Sequence, residues 1–152
     1  MKTLTLYQPW ATLVAIGAKR VETRSWPTKY RGKLAIHASK NRRFIDMGKK
    51  EYILNEKWFD FVLREWVLEI TRGEYLEPYF PLGSIVATCE LHECYQVEHG
   101  NQGPWRLLSD KEIAFGDYTP GRYMWMLGNI KKLTTPVAAK GAMGIWEWKE
   151  DG

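Results

Sequence analysis

The chain has 152 residues, of which 45% are apolar and 14% aromatic, so it is long enough for one domain with a single core and too short for two. The formal net charge is +4, but residues 1–50 carry a net +10 and residues 51–152 a net −6. This imbalance favours an anionic ligand such as RNA, DNA or a nucleotide near the N-terminal third, although many basic patches are only solvated surface.

The N-terminal third alternates between short strands and one helix. Residues 3–7 alternate like a strand, and Gln8-Pro9 opens a short helix that Gly17 closes. Proline in the first turn and glycine just past the end are typical of a helix. Residues 19–24 and 33–39 are predicted strands, joined by a polar loop over residues 25–32.

From residue 41 the pattern becomes helical. Apolar residues recur every four positions at Trp58, Val62, Trp66 and Ile70. We therefore predict a helical insertion at about 41–72, followed by a proline-containing connection that ends near residue 80.

The remainder of the chain is again rich in strands. Residues 83–97 form the longest strand-like run, and Ser109 is a candidate cap for a short helix. A turn over 116–121 precedes predicted strands at 122–133 and 144–148. Residues 1–152 are thus predicted to form one α+β domain around a small, strongly bent sheet or barrel of five or six strands.

The sequence predicts a cytoplasmic protein with no membrane association, no cofactor and no metal. Met1 leads directly into a strand without a secretory signal, and no apolar run approaches the roughly 18 residues of a membrane span. On one strand Cys89 and Cys94 would point to opposite faces, so they are expected to be reduced thiols. With His92 and His99 they fit no common zinc-ligand spacing.

A run of charges at residues 19–24 is the strongest candidate for a site. On a strand, Glu22 and Arg24 project to one face, and Lys19 is expected at the mouth of the resulting cleft. Lys19 can bind an anion, or act as a base if burial lowers its pKa, and Glu22 can act as a base for an attacking water. A second carboxylate would come from Asp117 or Glu112. The alternative is a Glu22–Arg24 ion pair that only stabilises the fold.

Other residues could complete a nucleic-acid site. Trp10 and Trp26 are candidate stacking platforms, and His37 is either a structural histidine or, in a ribonuclease, a base that takes the 2′-hydroxyl proton. The full set of predicted ligand-binding residues is Gln8, Trp10, Trp26, Lys29, Tyr30, Arg31, His37, Ser39, Lys40, Tyr118, Arg122 and Tyr123.

These residues also carry a family resemblance. Residues 17–24, GAKRVETR, resemble the G-x-K-x-x-E-x-R signature of the ASCH domain, and the segments LTLYQPWATLVAIG, SWPTKYRGKLAIHAS, FGDYTPGRYMWML and KGAMGIWEW are similar to bacterial and phage members. The resemblance implies a PUA-like β-barrel with flanking helices and a role related to RNA or nucleosides. The resemblance does not cover residues 41–80.

The resemblance implies three kinds of activity. Some ASCH members are amidohydrolases that deacetylate N4-acetylcytidine, others are described as ribonucleases, and others are RNA-binding modules. Lys19 matches the lysine of the amidohydrolase type, but Glu22 occupies the position of its threonine. We therefore predict a domain that binds RNA or a modified nucleoside or nucleotide, with a small hydrolase and a non-catalytic adaptor as alternatives.

Overall fold

Six strands form one sheet in the computed structural model, which describes residues 1–44, 69–70, 79–98 and 108–150. The strands are β1 (Lys2–Leu6), β2 (Val21–Arg24), β3 (Gly32–Ala38), β4 (Ser84–Gln96), β5 (Tyr123–Ala138) and β6 (Ile145–Glu147). Their order across the sheet is β2, β5, β4, β3, β1, β6. β1 and β3 are parallel, and the other neighbours are antiparallel.

The sheet curls because its two longest strands are irregularly paired. The register between β4 and β5 shifts at three points, and that between β3 and β4 shifts once. Such bulges bend a strand and increase its twist. The resulting curled half-barrel confirms the predicted α+β, PUA-like fold class with a small bent sheet.

β5 extends beyond its predicted end at residue 133, despite Pro136. Lys132 pairs with Ala87 and Val137 pairs with Ile85, so the proline falls in the irregular stretch between them. Proline cannot donate to a strand ladder and is tolerated at such bulges. The strand therefore continues to Ala138 and carries the chain to the edge of the site described below.

Two short helices flank the sheet. α1 (Trp10–Ala15) buries five of its six residues, and the predicted glycine at its end, Gly17, has a φ of +78°. α2 (Asp110–Ala114) is capped as predicted, because the Ser109 hydroxyl accepts a hydrogen bond from the Glu112 amide at 3.2 Å.

The core joins α1 to the sheet on one side and to α2 on the other. The main cluster includes Leu4, Leu34, Ile36 and the fully buried Trp125. A second cluster packs Leu13 of α1 against Phe115 at the end of α2. Each fully buried side chain of this size contributes roughly 1.5–3 kcal/mol. α1 is therefore held from both sides, and it fixes the chain that leads into β2.

The predicted helical insertion at about 41–72 lies largely outside the described residues. Within it, residues 69–70 are helical. The insertion and the single-domain organisation over residues 1–152 therefore stay predictions. In the part of the chain that the structure describes, no helix is long and apolar enough to cross a membrane.

Candidate functional site

A cleft of about 800 Å³ opens where β1, β2 and β3 meet residues 139–144, the segment between β5 and β6. This volume lies within the roughly 300–1,000 Å³ of typical small-molecule sites. Seven of the predicted site residues line the cleft: Trp10, Glu22, Arg24, His37, Ser39, Lys40 and Arg122.

Glu22 and Arg24 of β2 both line the cleft, and so does Thr23 between them, which strand alternation would place on the other face. The Arg24 Nε atom is 3.6 Å from Glu22 Oε1, which is an ion pair too long for a hydrogen bond. Arg24 Nη2 also donates to the Thr5 carbonyl at 2.7 Å, which fixes the guanidinium against β1. The guanidinium is therefore positioned beside the Glu22 carboxylate.

The second oxygen of Glu22 is buried and unpaired among the described residues. Glu22 is 9% exposed, and its Oε2 atom has no hydrogen-bond partner among the described residues. Leaving a buried polar group unpaired costs roughly 1–3 kcal/mol, and more when the group is charged. Glu22 thus lines the cleft with one acceptor whose hydrogen-bonding capacity is unused by the described residues.

A second cavity of about 140 Å³ adjoins the cleft and contains Asp117. Trp10, Glu22 and Arg122 line both spaces. Partial burial raises the pKa of Asp117, but hydrogen bonds from Thr119 and the positive charge of Arg122 together hold it below its usual value. The carboxylate is therefore engaged by its own turn, 3.5 Å from Arg122 Nε.

Arg122 connects that turn to β2. Its Nε atom donates to the Asp117 carbonyl at 3.1 Å, and its Nη2 atom donates to the Thr23 carbonyl at 3.3 Å. These contacts fix a cation on the wall between the two cavities.

His37 lies at the opposite wall and is 1% exposed. Its Nε2 atom is 3.0 Å from the Ala139 carbonyl, and its Nδ1 atom is 3.2 Å from the Thr5 hydroxyl. Because a carbonyl can only accept, the hydrogen of the neutral ring belongs on Nε2. The pKa of His37 lies below its ordinary value, mainly because the ring is buried. The hydrogen bond to Ala139 raises the pKa in part, and the charge of Lys40 lowers it further. The ring therefore ties residues 139–144 to β1 and β3.

Lys19 does not lie at the mouth of the cleft, where the sequence places it. It is 1% exposed, and its ammonium donates to the carbonyls of Val21 and, at 3.0 Å, Phe115. It is absent from the lining of both cavities. The pKa of Lys19 lies below its ordinary value because burial lowers it more than the charges of Glu22 and Glu112 raise it. The partner at Phe115 is 96 residues away, which explains why local alternation placed the side chain in solvent.

Glu112 is the other candidate for a second carboxylate, and its side chain accepts hydrogen bonds from backbone amides. Its Oε1 atom accepts from the amides of Arg20 at 3.0 Å and Val21 at 2.8 Å. It is buried and lines neither cavity. Glu112 therefore fastens α2 to the start of β2.

The aromatic and basic loop over residues 26–31 lies away from the cleft lining. Trp26 packs edge-on against Trp125, with ring centroids 4.7 Å apart. Tyr30 donates its hydroxyl proton to the Lys33 carbonyl, and Arg31 forms an ion pair with Glu93 at 3.2 Å. Lys29 is exposed and also lies outside the lining. The structure thus does not bring this group together with Glu22 and Arg24.

Three further predicted residues have structural contacts outside the cleft lining. Gln8 is buried, accepts from the Thr12 amide and donates to the Pro81 carbonyl at 2.8 Å. Tyr123 pairs with Arg24 across the sheet and packs on the main core. Tyr118 packs beside Val21, and burial, together with the charges of Glu112 and Glu22, raises its pKa.

Several lining residues were not predicted. They are Thr5, Leu6 and Tyr7 at the end of β1, Thr23 and Ser25 at β2, and Lys140, Gly141, Ala142, Met143 and Gly144 in the segment that follows β5. Met143 is 97% exposed at the rim. Gly141 and Gly144 bracket this segment between two strands, which is a loop signal, but only the folded register brings the loop to the cleft.

The cleft is strongly basic. Its lining contains four cations, Arg24, Lys40, Arg122 and Lys140, and a single carboxylate, Glu22. Among the described residues no group of three or more His, Cys, Asp or Glu side chains is arranged to hold a metal ion. The lining therefore suits a ligand that combines negative charge with hydrogen-bond donors.

Comparison with known proteins gives one family. A family model described as the ASCH domain matches residues 4–136. Activating signal cointegrator 1 of Mus musculus is 54% identical over 39 residues, which are 26% of this chain and 7% of that protein. The Homo sapiens protein of the same name is 56% identical over 36 residues, which are 24% of this chain and 6% of its own length. The chain thus matches only a small part of these relatives.

A solved structure is also similar in overall shape. A point mutant of ZmASCH from Zymomonas mobilis aligns with a TM-score of 0.47 and 14% identity, over 90% of this chain and 74% of that chain.

Proposed function

The chain belongs to the ASCH domain family, and we propose that its cleft binds an RNA segment or a modified nucleoside. The observation that carries this proposal is the Glu22 carboxylate, which is buried in the cleft wall with one oxygen unpaired among the described residues. Carboxylates accept hydrogen bonds from the amino groups of nucleobases. Glu22 is therefore assigned to base recognition.

Trp10 supplies an aromatic surface beside that carboxylate. The residue is half-buried, lines both cavities and contacts Phe44 edge-on with centroids 4.9 Å apart. Stacking of a base on an aromatic side chain contributes roughly 1–3 kcal/mol. Trp10 is assigned to stacking in place of Trp26, whose ring packs on the core.

The cations of the lining complete the match to a nucleic acid. Arg24 and Arg122 are held by backbone carbonyls, so their guanidinium groups are already positioned before a ligand binds. Preorganised cations recognise phosphate and base acceptors at a lower entropic cost.

Calorimetric titration with a panel of free nucleosides, including cytidine and N4-acetylcytidine, tests the role of Glu22. Glu22→Gln is expected to lose roughly 10-fold in affinity, which corresponds to about 1.4 kcal/mol for a charged hydrogen bond. Neutral nucleosides are used because removing a negative charge would by itself strengthen non-specific RNA binding.

The matched control is Glu98→Gln, which removes an exposed carboxylate outside the cleft lining. Its affinity should equal that of the wild type. Equal affinity of Glu22→Gln and Glu98→Gln would remove Glu22 from base recognition. Failure of the wild type to bind any nucleoside or single-stranded RNA would contradict the proposal and leave the adaptor role.

A second candidate function is hydrolysis of an acylated nucleoside, and the same Glu22 oxygen favours it. A carboxylate with a free lone pair can take a proton from a water that attacks an acyl carbon. In the amidohydrolase type, the lysine and threonine of the signature act together. Here Lys19 is buried outside the cleft lining, and Glu22 replaces the threonine. Any hydrolysis is therefore assigned to Glu22 with water.

Chromatography of N4-acetylcytidine after incubation with the protein tests this candidate. Release of cytidine and acetate by the wild type, lost in Glu22→Gln and kept in Glu98→Gln, would support it. A wild type without turnover would exclude hydrolysis of this substrate, and turnover that survives in Glu22→Gln would exclude Glu22 as the base.

A further inference from the structure

We propose that the end of the cleft that carries Lys40 and Lys140 is a phosphate subsite, so that the preferred ligand is a nucleotide or a phosphodiester of RNA. The inference rests on the proposed function, and it selects the phosphorylated members of that ligand class. It is carried by the sheet register, the packing of Lys40 and the distribution of charge.

The sheet register brings the two lysines to the same end of the fold. Ala38 at the end of β3 pairs with Ser84 at the start of β4, and Ser84 pairs with Ala138 at the end of β5. Lys40 lies two positions after Ala38, and Lys140 lies two positions after Ala138. Both lysines line the cleft. A hydrogen bond from the Ala139 amide to the Gly83 carbonyl, at 3.0 Å, fixes the start of the second segment.

Packing against Gly83 restricts the Lys40 side chain. A Cβ atom at Gly83 would lie 2.6 Å from Lys40 Cε and 2.7 Å from Cγ, so the aliphatic stem lies directly over the glycine. The charge of Lys40 is also felt at His37, whose pKa it lowers. The Lys40 stem is therefore positioned against Gly83, and its charge acts on His37 in the same cleft.

Neither lysine is neutralised within the structure. Of the four cations in the lining, Arg24 is paired with Glu22 and Arg122 with Asp117. Among the residues that the structure describes, neither Lys40 nor Lys140 has a carboxylate within 4.0 Å. Both lysines line the same cleft, so an anion bound at this end is attracted by two positive charges that no described carboxylate neutralises.

Phosphate is the anion that fits a nucleobase site of this kind. Lysine binds phosphate as a point charge, and Ser39, which also lines the cleft, offers a hydroxyl donor on the same segment as Lys40. Glu22 lies on β2, whereas the lysines follow β3 and β5, so base recognition and phosphate binding are assigned to separate groups.

Matched ligands separate this inference from the proposed function. Calorimetry would compare cytidine with cytidine 5′-monophosphate, with the other three nucleoside and monophosphate pairs in parallel. The wild type is expected to bind the monophosphate roughly 10-fold more tightly, within the range of charge-assisted hydrogen bonds. The dinucleotide CpC provides an internal phosphodiester, so its comparison with the monophosphate shows which kind of phosphate the subsite takes.

The variant Lys40→Gln/Lys140→Gln should reduce the phosphate advantage to about 2-fold or less and leave cytidine affinity unchanged. Lys131→Gln is the matched control, because it removes an exposed lysine of β5 outside the lining, and it should keep the full advantage. Equal binding of nucleoside and both phosphates by the wild type would overturn the phosphate subsite alone. Absence of binding for every probe would overturn the proposed function as well.

Discussion

Three buried charges surround the start of β2, and they differ in how fully the protein satisfies them. Lys19 donates to two carbonyls, and Glu112 accepts from two backbone amides. Glu22 has one oxygen beside Arg24 and, among the described residues, no partner for the other. A charge that the fold satisfies completely is structural, whereas one with unused bonding capacity inside a cleft is suited to a ligand.

Lys19→Met tests the structural role of Lys19. The change leaves the carboxylates of Glu22 and Glu112 without their buried cation and two carbonyls without a donor. Urea denaturation is expected to show a loss of about 3 kcal/mol in the free energy of unfolding. The exposed Lys33→Met is the control, with a change within about 0.5 kcal/mol. Unchanged stability together with lost nucleoside binding would show that Lys19 acts in ligand binding and not in stabilising the fold.

His37 should make stability depend on pH. Because its folded pKa lies below the ordinary value of 6.5, the unfolded chain binds the proton first as the pH falls. The stabilisation is complete above that value and decreases as the pH drops through it toward the folded pKa. Urea midpoints measured between about pH 7.5 and pH 5.5 should fall, with a shallower slope in His37→Gln than in the exposed His92→Gln. Parallel slopes for all three proteins would contradict this.

At the scale of elements, residues 139–144 form the cleft wall because His37 of β3 and Thr5 of β1 hold them. His37 Nε2 donates to the Ala139 carbonyl, and the Thr5 hydroxyl oxygen lies 3.2 Å from the Ala142 carbonyl and accepts from the Trp146 indole at 3.0 Å. The close approach also requires Gly141, where a Cβ atom would lie 2.5 Å from His37 Cε1. The wall is therefore set by contacts between β1, β3 and the segment before β6.

Gly141→Ala is expected to move this wall. His37 is hydrogen-bonded to the Ala139 carbonyl through Nε2, its Nδ1 atom is 3.2 Å from the Thr5 hydroxyl, and the ring is buried, so it cannot easily move. Overpacking should therefore cost about 1–3 kcal/mol in the free energy of unfolding and weaken binding of nucleoside monophosphates. Thr134→Ser, at an exposed residue of β5 outside the cleft lining, should leave both unchanged. Wild-type stability and affinity in Gly141→Ala would show that the close approach has no effect on the site.

At the scale of the whole molecule, local sequence patterns predicted the helices and strands better than the contacts between residues distant in the chain. Strand alternation and the residues that flank α1 were sufficient for β1 to β3, and Ser109 identified the start of α2. The burial of Lys19 depends on the carbonyl of Phe115, and Lys40 and Lys140 reach the same end of the cleft only through a register that spans three strands. The sequence predicts Trp26 as a stacking residue, but in the fold its ring packs edge-on against Trp125. Such contacts between distant residues are not contained in periodicity.

The basic cleft should also determine how binding responds to salt. Release of counterions from a single strand contributes a slope of roughly −0.7 per phosphate contact in a plot of log affinity against log salt. With two or three contacts, the expected slope is about −1.4 to −2 for single-stranded RNA, and Lys40→Gln/Lys140→Gln should make it less steep. Titrations at several salt concentrations, with Lys131→Gln as the control, provide the measurement. An identical slope in the double variant would show that these lysines contact no phosphate.

The most direct test of the cleft as the ligand site is backbone amide NMR of the full chain during titration with single-stranded RNA at low salt. The account predicts that the largest shifts occur at residues 22–24 and 139–144, with small changes at residues 26–31. Largest shifts in the 26–31 loop, or no shifts at 22–24, would contradict it.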